Sequence, residues 1–152
     1  MRDEARTTLN DEGRTTLRVF CAIELPAEIR SRVAERVRRL REEFADVRAS
    51  WEKAEKLHIT LKFLGELERE RVEALSDAAA EAAARVEPFE LEVCEPGSFP
   101  PKGQPRVLWL GIRDDSGRLA FMQSALEDAC ASAGFEREPR PFKPHQIGRA
   151  HV

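Results

Sequence analysis

The stretch Leu57-His-Ile-Thr-Leu-Lys-Phe63 alternates strictly between apolar and polar residues. A two-residue period is typical of a β-strand with one face buried. The apolar face would carry Leu57, Ile59, Leu61 and Phe63, and the polar face would carry His58, Thr60 and Lys62. This segment therefore predicts a half-buried strand that presents a histidine and a hydroxyl group away from the core.

Helical and extended patterns surround this strand. Three segments repeat apolar residues every three or four positions, which predicts amphipathic helices. They are residues 27–45, 72–86 and 117–133. Apolar, β-branched runs around Val19 and Val107 predict further strands, and the proline- and glycine-rich residues 95–105 predict a loop. A final extended run is expected near Phe142.

The order of these elements is repeated. A strand, a helix and a histidine-bearing strand occur first, ending at His58, and then again at nearly the same spacing, ending at His145. Two lobes related by a pseudo-twofold axis would explain this order and would bring one histidine from each half to a shared cleft. Chance is the alternative, because a strand-helix-strand order is common.

The composition limits the class of protein. The 152 residues hold 25 Lys and Arg against 28 Asp and Glu, so the formal net charge of −3 excludes a broad basic surface for nucleic acid. No apolar run approaches the ~20 residues that a membrane-spanning helix needs. Cys21, Cys94 and Cys130 show no metal or redox spacing, and the start of the chain has no apolar signal region, so we expect a cytoplasmic protein.

Two polar residues of the central strand could perform chemistry. His58 and Thr60 would lie on one face with Cα atoms about 6.6 Å apart, which lets a phosphate group touch both. Histidine exchanges protons near neutral pH, and a threonine hydroxyl can hydrogen-bond a phosphoryl oxygen. A solvent-facing histidine on an ordinary strand is the alternative. His145 could share acid and base roles with His58, or could lie in a terminal loop.

Metal binding is a rival use of paired histidines. A zinc site needs three or four protein ligands at suitable spacing. Neither a third histidine at such spacing nor a cluster of carboxylates accompanies His58 and His145. The sequence therefore predicts neither a metal nor another cofactor.

The motifs of this chain, taken together, resemble the two-histidine phosphoesterases, and within them the bacterial RNA 2′,3′-cyclic phosphodiesterases, also called 2′-5′ RNA ligases. The motifs occur in the family's order between Leu17 and His145. They are LRVFCAI at 17–23, HITLKFLGE at 58–66, FP at 99–100, RVLWLG at 106–111 and FKPH at 142–145.

The resemblance implies a bilobal α+β fold in which two antiparallel sheets line a central cleft and helices lie outside. It also implies that each lobe supplies a His-x-Thr signature, with histidines as general acid and base and threonines that hold the phosphate. His58 and Thr60 match the first signature, and His145 matches the histidine of the second. The residues leave open which histidine is the acid and which the base; the analogy favours His145 as the group that activates water and His58 as the group that protonates the leaving oxygen.

The end of the chain departs from the family. Ile147 stands where the second signature has threonine, so a phosphate-binding hydroxyl is missing. The last seven residues, QIGRAHV at 146–152, match one translated reading frame of a common sequencing adapter. We therefore expect a loose tail at 1–16, a C-terminally incomplete phosphoesterase domain at 17–145 and a non-native tail at 146–152. Arg149 and His151 receive no catalytic role.

The function implied by the resemblance is hydrolysis of RNA 2′,3′-cyclic phosphate ends to 2′-phosphates, with reversible 2′-5′ ligation as a related reaction. The partner would be an RNA end or oligonucleotide that carries a cyclic phosphate, and the enzyme would be a monomer. The sequence leaves two other functions open. One is a noncatalytic module that binds RNA ends or nucleotides, and the other is a phosphodiesterase that acts on small cyclic nucleotides.

Overall fold

A computed structural model describes residues 6–9, 15–43, 45, 50–51, 57–99, 107–143 and 147–151. In chain order its elements are β1 (Arg6–Leu9), β2 (Thr15–Glu24), α1 (Ala27–Glu43), β3 (Ser50–Trp51), β4 (His58–Glu68), a 3₁₀ turn (Arg69–Arg71), α2 (Val72–Ala84), β5 (Glu92–Phe99), β6 (Val107–Arg113), α3 (Arg118–Ser132) and β7 (Ile147–His151). The described strands form two sheets, in the orders β1-β2-β4 and β3-β7-β6-β5. The predicted α+β class is confirmed.

The chain divides into two compact units, each assembled from three segments. The first unit is formed by Met1–Ile23, Thr60–Leu91 and Asp114–Lys143, and it contains the sheet β1-β2-β4 with helices α2 and α3. The second is formed by Glu24–Ile59, Glu92–Arg113 and Pro144–Val152, and it contains the other sheet and α1. Each unit therefore has its own sheet and at least one helix.

Both units have an apolar core. In the first, α2 packs against α3, and the alanines of α2 allow a close approach. The buried apolar residues of this unit include Val19, Cys21, Leu61, Leu75, Ala79, Leu119, Leu126 and Cys130. In the second unit they include Val33, Leu40, Leu57, Ile59, Leu110 and Ile112. All three helices were predicted from the spacing of such residues, and all three are confirmed.

Strand β4 begins as predicted and continues beyond the predicted segment. Ile59 and Leu61 are buried, but Phe63, predicted on the same apolar face, is 60% exposed. The alternation of buried and half-buried residues ends at this point, because the consecutive residues Leu61 and Lys62 are both buried. The ring of Phe63 instead contacts that of Phe20 on β2, with ring centroids 6.1 Å apart.

Helix α3 begins with a cap supplied by Asp114. One carboxylate oxygen accepts a hydrogen bond from the backbone N–H of Leu119 at 2.7 Å, and the other accepts one from the N–H of Ser116 at 3.0 Å. Burial opposes ionisation of Asp114, but the hydrogen bonds from Ser116 and Leu119 outweigh it and lower the pKa of the carboxyl group. The left-handed conformation of Gly117 (φ 71°) permits this tight entry into the helix.

Part of the segment predicted as a loose tail forms a strand. β1 pairs antiparallel with the start of β2, with Thr7 opposite Leu17 and Thr8 opposite Thr16. Residues 3–10 and 11–18 are near copies that share Arg-Thr-Thr-Leu. The β-branched threonines of both copies favour extended backbone.

Strand β5 extends into the segment predicted as a loop. It continues through Pro96 and Gly97 to Phe99 and pairs antiparallel with β6. Between Val93 and Pro96 the register shifts, so β5 advances three residues while β6 advances two. Such a bulge accommodates a proline, which lacks a ladder-forming N–H. The prediction of a loop over 95–99 is therefore wrong.

No helix among the described residues is long and apolar enough to span a bilayer. The three cysteines are free thiols. Cys21 and Cys130 are buried, whereas Cys94 is half-buried on β5. Burial raises the pKa of the Cys130 thiol, and the neighbouring Lys62 and Glu127 act in opposite directions on it.

We expect one fast-reacting thiol per folded chain. A maleimide should label Cys94 well before Cys21 and Cys130, because the reagent reaches a buried thiol poorly. Mass spectrometry of peptides after timed labelling would measure the three rates, with denatured protein as the control for full reactivity. Rapid labelling of Cys130 in the folded protein would contradict the core described above.

Candidate active site

The first two residues of the predicted site lie at the start of β4. His58 opens the strand and Thr60 follows two positions later; both are half-buried. The intervening Ile59 and the adjacent Leu57 and Leu61 belong to the core. The apolar residues thus anchor the strand, and its alternation places His58 and Thr60 on the opposite face.

This arrangement can hold a phosphate and exchange a proton with it. Side chains at alternate positions of a strand point to one face, with Cα atoms about 6.6 Å apart. A phosphoryl group between them could accept a hydrogen bond from the Thr60 hydroxyl, while the His58 imidazole faces an ester oxygen. The backbone holding both groups is paired within a sheet, so their spacing is fixed by the strand.

His145, the second predicted histidine, lies outside the described residues. The neighbouring strand β7 begins at Ile147, which is opposite Leu110 on β6. β7 also pairs with β3, where His151 is opposite Ser50. Residues 147–151, predicted as part of a non-native tail, therefore form a strand, and the coding origin of that tail stays a prediction.

Lys62 is the third polar residue of β4, and its side chain is directed into the protein interior. The side chain is 1% exposed. Its Nζ donates hydrogen bonds to both carboxylate oxygens of Glu127 on α3, at 3.0 and 2.8 Å, and to the carbonyl oxygen of Glu136 at 2.8 Å. All three N–H donors of the ammonium group are therefore used within the protein.

Nothing in the described residues resembles a metal site. They contain no group of three or more His, Cys, Asp or Glu side chains that could hold a metal ion. The Glu127 carboxylate, which lies against β4, is paired with Lys62. The described part of the site therefore consists of one imidazole and one hydroxyl.

A family model described as LigT-like phosphoesterase matches residues 23–109, a segment that contains β4 and both of its site residues. The chain belongs to the LigT-like phosphoesterase family. The match covers more than half of the sequence, and the predicted resemblance is thereby confirmed.

Curated relatives of this LigT-like protein share a name. An RNA 2′,3′-cyclic phosphodiesterase of Archaeoglobus fulgidus is 33% identical over 137 residues, which cover 88% of this chain and 72% of that enzyme. One from Geobacillus stearothermophilus is 35% identical over 96 residues, which cover 63% of this chain and only 30% of that enzyme. The chain thus spans less than a third of the Geobacillus protein.

Solved structures support the same family. The apo structure of E. coli LigT matches with a TM-score of 0.68 and 31% identity, covering 90% of this LigT-like chain and 72% of the solved one. The E. coli protein has also been solved in complex with 3′-AMP, and that structure matches with a TM-score of 0.64 and 32% identity.

The Lys62–Glu127 pair was missed by reasoning from the sequence. Alternation assigned Lys62 to the polar face and left it without a partner, because Glu127 is 65 residues away on an amphipathic helix. One signal was available: Lys62 is flanked directly by Leu61 and by Phe63 and Leu64. A lysine with such neighbours requires a partner when it is buried.

Proposed function

We propose that this LigT-like chain hydrolyses 2′,3′-cyclic phosphate ends of RNA to 2′-phosphates by metal-independent general acid–base catalysis. The observation that carries the proposal is the shared face of β4 that holds His58 and Thr60, in a member of this family. The names of the relatives support the cyclic phosphate as substrate.

In the proposed reaction water attacks phosphorus and the bond to the 3′-oxygen breaks, which leaves the phosphate on the 2′-oxygen. His145 takes the proton from water, and His58 gives a proton to the departing 3′-oxygen. Thr60 donates a hydrogen bond to a phosphoryl oxygen as negative charge builds up there. A 5′-hydroxyl in place of water would give a 2′-5′ link, which is the proposed ligation.

The proposed partner is an RNA end or oligonucleotide with a cyclic phosphate. The formal net charge of −3 means that the RNA must be held at a local site rather than by a general electrostatic attraction. The expected monomeric state and cytoplasmic location stay predictions.

A second candidate is a nucleotide-binding module without turnover. The complex of E. coli LigT with 3′-AMP favours it, because a relative that matches most of this chain accommodates a mononucleotide. Under this alternative, His58 and Thr60 would bind the phosphate of a nucleotide without proton transfer.

Turnover of a short oligoribonucleotide with a 2′,3′-cyclic phosphate distinguishes the two functions. We expect conversion to the 2′-phosphate to continue in excess EDTA. We also expect a bell-shaped pH dependence near neutrality, because one histidine must be neutral while the other is protonated. Chromatography of the products identifies which phosphate ester is formed.

Binding without turnover would favour the nucleotide-binding module. Loss of turnover in EDTA with recovery on addition of Zn²⁺ or Mn²⁺ would contradict the metal-independent mechanism. Efficient cleavage of small cyclic nucleotides, without cleavage of the oligonucleotide, would show that small cyclic nucleotides are the substrate class.

A further inference from the structure

Lys62 belongs to the predicted polar face of β4, together with His58 and Thr60. It follows Thr60 on β4 after one residue, and a cation there would suit an anionic substrate. Its side chain is nevertheless buried, and all its donors are used by Glu127 and Glu136. A direct role in holding the RNA phosphate is therefore incompatible with this structure.

Glu127, the partner of Lys62, has further hydrogen-bond donors. The Glu127 carboxylate also accepts a hydrogen bond from the backbone N–H of Glu138 at 3.2 Å and one from the Gln123 side chain at 3.4 Å. The same Gln123 amide donates to the backbone carbonyl of Leu61 at 3.5 Å. The network thus binds β4 to α3 at two successive residues, just after Thr60.

The network also fixes the segment that follows α3. Lys62 binds the carbonyl of Glu136, and Glu127 binds the N–H of Glu138. Both residues belong to the stretch without helix or strand that runs from α3 to Lys143, two residues before His145 in the sequence. A single buried ion pair therefore connects the strand that bears Thr60 to the backbone at Glu136 and Glu138.

We propose that the Lys62–Glu127 pair is a positioning device for the active site, with no contact to substrate. This inference rests on the proposed function, in which Thr60 and His145 act on one cyclic phosphate. Replacing a buried ion pair by apolar residues of similar size often leaves stability unchanged, so stability alone is a weak reason for such a pair. Its directional hydrogen bonds hold the carbonyl of Glu136 and the N–H of Glu138 in fixed places beside the strand that bears Thr60.

A pair of substitutions separates positioning from stability. Lys62→Met leaves the Glu127 carboxylate buried without its cation, so we expect a large loss of thermal stability. In the double variant Lys62→Met/Glu127→Met the orphan charge is gone, and we expect most of the stability to return. The hydrogen bonds to Glu136 and Glu138 stay absent, so kcat should remain about 10- to 100-fold below the unsubstituted chain.

The kinetic pattern identifies the kind of role. A residue that only positions others should lower kcat and leave KM for the cyclic-phosphate oligonucleotide within about threefold, since ground-state binding is not removed. Lys62→Arg keeps the charge and should recover part of kcat. Arg38→Met serves as the matched control, because it removes an exposed ion pair with Glu35 on α1 and should change neither quantity.

Amide hydrogen exchange provides a readout that is independent of turnover. In the double variant we expect exchange at Thr60 and Glu138 to be at least about tenfold faster than in the unsubstituted chain, with exchange in α2 unchanged. Unchanged exchange at both amides would overturn the inference even if the chain proves inactive. An inactive chain with the expected exchange would count against the proposed function alone.

Two kinetic outcomes would also overturn the inference. Full recovery of kcat together with thermal stability in the double variant would show that the pair acts only through stability. A raised KM with unchanged kcat in the double variant and in Lys62→Arg would show that Lys62 contacts the substrate.

Discussion

We expect replacement of His58 with alanine to lower the rate of the proposed cyclic-phosphate hydrolysis by about 10²- to 10⁴-fold, the usual loss for one acid–base group. In the proposed mechanism the 3′-oxygen would then have to depart without a proton donor. His58 is half-buried at the start of β4, so its removal leaves the apolar anchors of the strand in place. The measurement is kcat/KM for the oligonucleotide, with circular dichroism to confirm the fold.

His151→Ala is the matched control for this prediction. His151 lies on β7 and has no assigned role, so its substitution should leave turnover within about twofold, as is usual away from an acid–base site. Near-normal turnover of a folded His58→Ala variant would remove His58 from the mechanism. Equal losses of turnover in the His58→Ala and His151→Ala variants would point to a general effect of removing a histidine.

We expect replacement of Thr60 with valine to lower kcat by about 10²- to 10³-fold, the loss seen when one donor to a developing oxyanion is removed. Valine has the shape of threonine and favours a strand equally well, so β4 should remain intact. The change therefore isolates the hydroxyl group. Comparison of kcat, KM and melting temperature with the unsubstituted chain measures its contribution.

Thr60→Ser provides the control, because it keeps the hydroxyl and loses only a methyl group. Serine should retain turnover within about tenfold, with the deficit arising from its freer side-chain rotation. If valine is as active as threonine, the hydroxyl does not bind the transition state. If serine is as inactive as valine, the hydroxyl alone does not account for the role of Thr60, and its methyl group is needed as well.

Sequence periodicity predicted the elements whose signals are local. The helices α1, α2 and α3 repeat apolar residues on one face, and each is found within a few residues of its predicted bounds. The start of β4 follows from strict alternation, and with it the shared face of His58 and Thr60. These predictions succeed because burial of one face is determined by residues two to four positions apart.

The remaining features depend on partners distant in the sequence. The interior direction of Lys62 follows from Glu127, which no local pattern connects to it. Pro96 and Gly97 are loop-forming residues in isolation, but the bulge opposite β6 holds them in a strand. Phe63 also departs from the local pattern, because it is 60% exposed although Leu61, two residues earlier, is buried.

Strand β1 lies at the edge of its sheet and covers one side of β2. Residues 6–9 pair with residues 15–18 at the start of β2, and each of these segments lies within one of the two similar octapeptides. In the sheet, β1 occupies the side of β2 opposite β4. A version trimmed before residue 15 would bare the amide and carbonyl groups along that side, a template to which a strand from another molecule can add. Trimming would therefore promote self-association through the backbone, whatever the side chains at the exposed edge.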